Sequence, residues 1–312
     1  MGVQNGGAVF DAALRNRSRT YPGADDPRQA SDRMLFPSVA PGFRIAPGSG
    51  VFTIGSCFAR NVEQALSERG LTVPTLGYAV PKEEAKGRPN RILNQYNPGT
   101  MLQCVAGSVS RDAALHPAKD GLVVDPLLST GGTPVTRDRA LARRDEIARL
   151  YGDGLASCDT VVVTLGLIEA WVDHEAGCYL NEAPAHRLLK ADTDRFEFRR
   201  LGVEASRDLV FEMLERLVEG GRRHVVLTVS PVPLQVTFSG GDAVTANAYS
   251  KAVLRVVADL AAAAFRGVDY FPSYEMVMSL GRAAFMADNV HVRQPVVDRV
   301  IGHMTGAYAP EA

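Results

Sequence analysis

Cys57 lies within the run Val51-Phe52-Thr53-Ile54-Gly55-Ser56-Cys57-Phe58-Ala59-Arg60, which reads as a short buried strand, a tight turn at Gly55 and the first turn of a helix. A thiol at such a junction has the chemistry of a nucleophile. Unpaired backbone N–H groups and the dipole at a helix N-terminus stabilise a thiolate and can hold an oxyanion. The alternative for a lone cysteine is a small buried hydrophobe. Far along the chain, Asp288-Asn289-Val290-His291 sets a carboxylate three residues before an imidazole. A carboxylate there can receive the ring Nδ1–H, fix the tautomer and stabilise the imidazolium. Cys57, His291 and Asp288 then make a nucleophile, a base and an orienter. The D-x-x-H spacing is weak alone and gains weight beside the thiol. The other five histidines read as structural: His116, His174 and His186 in polar loops, His224 opening a strand, His303 inside the terminal helix.

These groups must be positioned by the elements around them. Residues 1–48 are rich in Pro, Gly, Arg and Asp without a sustained period, apart from a helical turn at 9–14, and read as an irregular N-terminal arm. Residues 49–312 read as a single domain in which strand-like and helical runs alternate. The strands expected are 51–54, 71–74, 122–125, 160–164, 224–229 and 268–271. Helices are expected over 58–69, from 99 to 105, over 137–151, 204–219, 245–265 and 295–308, with a polar loop across 81–91. The nearly continuous β-branched run Thr160-Val161-Val162-Val163-Thr164 marks a central parallel strand. This alternation predicts a three-layer α/β/α sandwich around a mainly parallel sheet. Ligands in such folds sit beyond the carboxyl ends of the strands. Gly55, Ser56 and Cys57, then Gly166 and Glu169, then Ser230, then residues 272–275 follow successive strand ends and so share one rim.

Composition narrows the partners. With 312 residues, 46% hydrophobic and 22% charged, the chain needs no disulfide or metal to build a core. A formal net charge of -1 without long charge blocks gives no electrostatic case for nucleic acid or an anionic membrane. No apolar run reaches the length of a membrane span. Four widely spaced cysteines, Cys57, Cys104, Cys158 and Cys178, have no metal-ligand spacing, so neither a metal nor another cofactor is expected. The reading is a reduced, cytoplasmic protein whose thiol stays available. Lys251 reads as an exposed lysine on its helix, or as a side chain shaping an acyl or phosphate pocket.

Gly55-Ser56-Cys57-Phe58-Ala59 is the signature that gives the GSCFA family its name, and the chain resembles that family at four further places in order. They are Thr164-Leu165-Gly166-Leu167-Ile168-Glu169-Ala170-Trp171, Val229-Ser230-Pro231-Val232-Pro233, Asn247-Ala248-Tyr249-Ser250-Lys251 and Tyr270-Phe271-Pro272-Ser273-Tyr274-Glu275. The resemblance covers about residues 45–292. The family looks related to the SGNH (GDSL-type) hydrolases, which implies a flavodoxin-like α/β/α fold acting on esters and acyl groups. On the hydrolase pattern, Gly55-Ser56-Cys57 takes the place of Gly-Asp-Ser, with Cys57 as nucleophile; a register shifted by one gives that role to Ser56. Asp288 and His291 match the Asp-x-x-His block. The Gly-x-Asn-Asp block is altered, since Gly166 is followed at the last two places by Ile168 and Glu169, and an apolar Ile cannot donate to an oxyanion. The missing donor is expected from Asn97 or Gly99, or from Asn94, while Glu169 binds substrate or orients a neighbour.

Taken together, these readings imply an acyl-ester hydrolase whose substrate is a small-molecule or carbohydrate acyl compound. A thioester is attacked readily by a positioned acceptor, so acyl transfer to a sugar or small-molecule hydroxyl is the alternative within the same chemistry. From a different class, the altered Gly-x-Asn-Asp block is compatible with a non-catalytic binding module on this fold.

Overall fold

The computed structural model describes residues 5–84 and 87–310. Parts of the N-terminal arm, of the polar loop at 81–91 and of the C-terminus lie outside those residues. Four strands, β1 (Val51–Gly55), β4 (Thr160–Leu165), β8 (His224–Val229) and β9 (Val268–Tyr270), form one wholly parallel sheet in the order β1-β4-β8-β9. Their β-branched and apolar residues are buried on both faces, as a covered parallel sheet requires.

The alternation of side chains sorts the core into two layers. Phe52, Ile54, Val161, Val163, Leu165, Val225 and Leu227 face the helices α3 (Pro98–Ala106), α4 (Arg137–Ser157), α6 (Val203–Val218) and α7 (Ala243–Ala264). Val51, Val162 and Val226 face α2 (Cys57–Glu68), α8 (Ser273–Ser279) and α9 (Gln294–Tyr308). Helices on both faces of a parallel sheet give the three-layer α/β/α architecture. Each helix lays an apolar stripe on the sheet; in α2 it is Phe58, Val62 and Leu66, four residues apart. Among the described residues no helix is long and apolar enough to cross a membrane.

The arm contributes to the second layer. Met34, Phe43 and Ile45 are buried there, the Ile45 N–H donates to Tyr308 O at 2.8 Å, and Asp32 pairs with Arg299 of α9 at 2.6 Å. Its helix α1 (Gly6–Arg15) buries no residue.

Some elements differ from expectation. Residues 71–74 make only the bridge between Gly50 and Thr72, because a 3-10 turn, Pro74–Gly77, begins where the strand would continue. Two small antiparallel units have no counterpart in the sequence reading as sheets. One pairs β2 (His116–Pro117) with β3 (Val123–Val124). The other has the order β6-β5-β7, from β5 (Glu169–Asp173), β6 (Cys178–Leu180) and β7 (Phe196–Arg200), with the short helix α5 (His186–Ala191) between the last two. His116, expected in a polar loop, is buried against Asp173 at 3.2 Å, and Arg195 closes the same carboxylate.

Candidate active site

β1 ends at Gly55 with φ +133°, where a Cβ would lie 2.2 Å from Thr164 O. Only glycine can make that approach, and it lets the chain turn at once from β1 into α2. Ser56 is the N-cap of α2 and Cys57 its first residue, yet the Ser56 side chain makes no capping bond. Its Oγ, buried at the rim, donates instead to Ser230 Oγ at 3.0 Å, and Ser230 Oγ accepts the Val232 N–H at 3.3 Å. The first-turn N–H groups of α2 are therefore left without a side-chain cap beside a thiol. Cys57 itself is half-buried. Burial pushes its thiol up, while the charges of Lys251 and Arg91, its own backbone N–H and the charge of Arg88 pull it down without overcoming burial.

The loop after β4 is tied to this turn through residues 94–97. Gln95 N–H donates to Gly55 O at 2.9 Å, and Leu167 N–H donates to Tyr96 O at 2.8 Å. Gly166 packs so tightly that a Cβ would lie 2.5 Å from Tyr96 O. From the other side, α7 pins the same loop: Ser250 Oγ accepts the Ile168 N–H at 3.1 Å, and Lys251 Nζ donates to Gly166 O at 2.6 Å. Lys251 is not the exposed lysine of the sequence reading. It is 1% exposed, and burial drives its ammonium down to about 7, with the Cys57 charge acting in the opposite direction. The signal was present in the spacing, because Lys251, Leu254 and Ala258 lie at i, i+3 and i+7 on the buried stripe of α7.

Asp288 and His291 form their pair in an exposed turn. His291 Nδ1 and Asp288 Oδ2 are 2.6 Å apart, and Asp288 Oδ1 accepts the N–H groups of Val290 and His291 at 2.9 and 3.0 Å. Those bonds, the one from the imidazole first, hold the Asp288 carboxyl down to about 2. The turn is closed by Met286 N–H donating to His291 O at 2.8 Å. Among the described residues no hydrogen bond joins His291 to Cys57. A cleft of about 730 Å³ runs between α2 and α9, lined by Arg60, Asn61, Arg88, Asn90, Gln294 and Asp298 among others. Neither Cys57 nor His291 lines that cleft; in sequence His291 stands three residues before Gln294, and Cys57 four before Asn61.

The expected oxyanion groups have other partners. Asn97 caps α3, its Oδ1 accepting the Thr100 N–H at 3.0 Å, and its Nδ2 donates to Leu180 O at 3.0 Å. Both sides of this amide are thus engaged in the fold. Gly99 is required by packing, since a Cβ would come within 2.4 Å of the Tyr179 ring. Glu169 turns toward residues 237–239, accepting from Thr237 Oγ1 and, at 2.9 Å, from the Phe238 N–H. Asn94 is buried beside Gln95; its Nδ2 reaches only Tyr96 Oη at 3.4 Å and its Oδ1 has no partner among the described residues. Among the described residues no group of three or more His, Cys, Asp and Glu side chains could hold a metal ion. All four cysteines are free.

The family model described as GSCFA family matches residues 50–304, from the first strand to the terminal helix. No curated protein and no solved structure matches the chain.

Proposed function

The chain belongs to the GSCFA family, and from that premise and the rim geometry we propose that it is an acyl-ester hydrolase, SGNH-like in its site, with Cys57 as nucleophile. The observation that carries the reading is the turn itself: a half-buried thiol begins α2 while the N-cap hydroxyl beside it is drawn away to Ser230. A helix N-terminus left uncapped next to a nucleophile is a ready oxyanion site. It also favours Cys57 over Ser56, whose hydroxyl is buried and already donating.

In this reading Cys57 Sγ attacks the acyl carbonyl and its proton passes to His291, which Asp288 holds in the tautomer that accepts at Nε2. The carbonyl oxygen takes up the negative charge against the Cys57 N–H and the second N–H of Asn94 Nδ2, whose first donates to Tyr96 Oη. As the tetrahedral species collapses, the ester C–O bond breaks, the proton on His291 goes to the departing oxygen, and a thioester remains on Sγ. Water, deprotonated by His291, then adds to the thioester carbonyl; the C–S bond breaks, the acid leaves, and the proton on His291 returns to Sγ. Gly55, Gly166 and Ser230 shape the pocket by holding the three strand ends together. In a second outcome a sugar or small-molecule hydroxyl replaces water and receives the acyl group. Four free cysteines suit a reducing, cytoplasmic setting, which the thiol requires.

The test is a screen of acyl esters and thioesters, with mass spectrometry for an acyl adduct on Cys57. Cys57→Ala and His291→Ala should each abolish turnover, Asp288→Asn should leave part of it, and a double variant should be little worse than either single, because the members act as a unit. Full activity in Cys57→Ala with loss in Ser56→Ala would move the nucleophile to Ser56. A Cys57 that neither acylates nor alkylates near neutral pH would favour the non-catalytic binding module.

A further inference from the structure

Lys251 sits on the inward stripe of α7, 1% exposed, and donates to Gly166 O at 2.6 Å. An ammonium carries three donors, and among the described residues this carbonyl is its one hydrogen-bond partner, with no carboxylate in ion-pair range. A buried, unpaired amine is a costly choice for holding a loop, since a neutral amide of similar length could donate to the same carbonyl. Its electrostatic counterpart is the thiol. Lys251 is the strongest cation acting on Cys57, and Cys57 is the charge that acts on Lys251. The two are linked through the fold as well, from Gly166 to Tyr96 and from Gln95 to Gly55, one peptide from Ser56 and Cys57.

We propose that Lys251 is a positioning residue for the nucleophile: its buried amine, held on Gly166 O, is the counter-charge that makes ionisation of Cys57 affordable in a half-buried rim. The inference rests on Cys57 being the reacting thiol. When Sγ loses its proton to His291, the negative charge appears beside a group whose own protonated form burial otherwise disfavours, and each charge then stabilises the other. The thiol's own proton goes to His291; Nζ carries the complementary charge, taking a proton from solvent where it is neutral. The depressed ammonium of Lys251 agrees with this, because a group poised near neutrality changes its protonation in response to the thiolate.

The experiment is alkylation of Cys57 by iodoacetamide as a function of pH, followed by mass spectrometry, in the full chain and in Lys251→Gln and Lys251→Met. Lys251→Gln decides, because its amide keeps a donor for Gly166 O while removing the charge, and a thermal melt confirms that it folds. The expected result is a midpoint for Cys57 alkylation raised by about one pH unit or more, seen near pH 7 as a roughly tenfold slower reaction. A wild-type midpoint in folded Lys251→Gln overturns the proposal, leaving Lys251 only a hydrogen-bond donor to its loop. The outcome is separable from the hydrolase reading. Acyl turnover that survives Cys57→Ala sinks that reading, and with it the role of Lys251 in catalysis, whereas an unshifted alkylation midpoint with turnover lost in Cys57→Ala sinks Lys251 alone.

Discussion

Replacing Lys251 by Met should stabilise the protein, by an amount that falls as pH rises. Burial holds the folded-state ammonium near 7, against an ordinary value of 10.5. Between those values, while Cys57 bears no charge, the unfolded chain carries a proton on this side chain and the folded chain does not, so stability climbs with pH across that window. Each unit is worth about 1.4 kcal/mol. At pH 7.5 the unfavourable linkage is three units, or about 4 kcal/mol; at pH 9.5 it is one unit, about 1.4 kcal/mol. Methionine removes this penalty, keeps most of the volume and loses the bond to Gly166 O, worth about 1 kcal/mol. The variant should therefore gain about 3 kcal/mol at pH 7.5 and almost nothing at pH 9.5. The assay is urea unfolding at pH 7.5, 8.5 and 9.5, with both proteins in a Cys57→Ser background so that thiol ionisation adds nothing. Removing the Cys57 charge, which raises the Lys251 ammonium, only widens the window. Stability curves that run parallel over those two pH units would refute the reasoning, since they would mean that Lys251 is as protonated in the fold as out of it.

Two further expectations concern the frame of the rim. Asn97→Ala should lose the α3 cap and the bond to Leu180 O, together about 2 kcal/mol of stability, with turnover per folded molecule unchanged; a large fall in turnover at an unchanged melting temperature would return Asn97 to the oxyanion site. Gly55→Ala must place a Cβ against the backbone at Thr164 O with φ at +133°, and should cost about 3 kcal/mol or more, read as a lowered urea midpoint or loss of soluble protein. A Gly55→Ala protein as stable as wild type would show that the turn can relax, and that glycine there serves something other than close approach.

The parallel sheet was legible because its strands are covered on both faces. Residues 51–54, 160–164 and 225–229 are unbroken apolar or β-branched runs, a pattern that few other elements produce. The antiparallel unit was hidden for the converse reason. Its strands β5, β6 and β7 are three to five residues long and interleave Glu169, Asp173, Glu197 and Arg199 with Trp171, Tyr179 and Phe198, so each resembles a polar loop until paired. Lys251 was hidden by its chemistry. Its position on the inward stripe was readable, but lysine is so seldom buried that residue type outweighed spacing.

The altered Gly-x-Asn-Asp place shows how far motif reading reaches. Ile168 and Glu169 stand where the hydrolase pattern has a donor and a carboxylate, and an ionised Glu169 facing an oxyanion would repel it. β5 removes that conflict by beginning at Glu169, so that its carboxylate is carried to Thr237 and the Phe238 N–H, away from the turn at Gly55. Ile168 is withdrawn as well, buried in the core with its N–H on Ser250 Oγ. At the end of β4 the Gly166 carbonyl accepts from Lys251. The strand end thus anchors a buried cation.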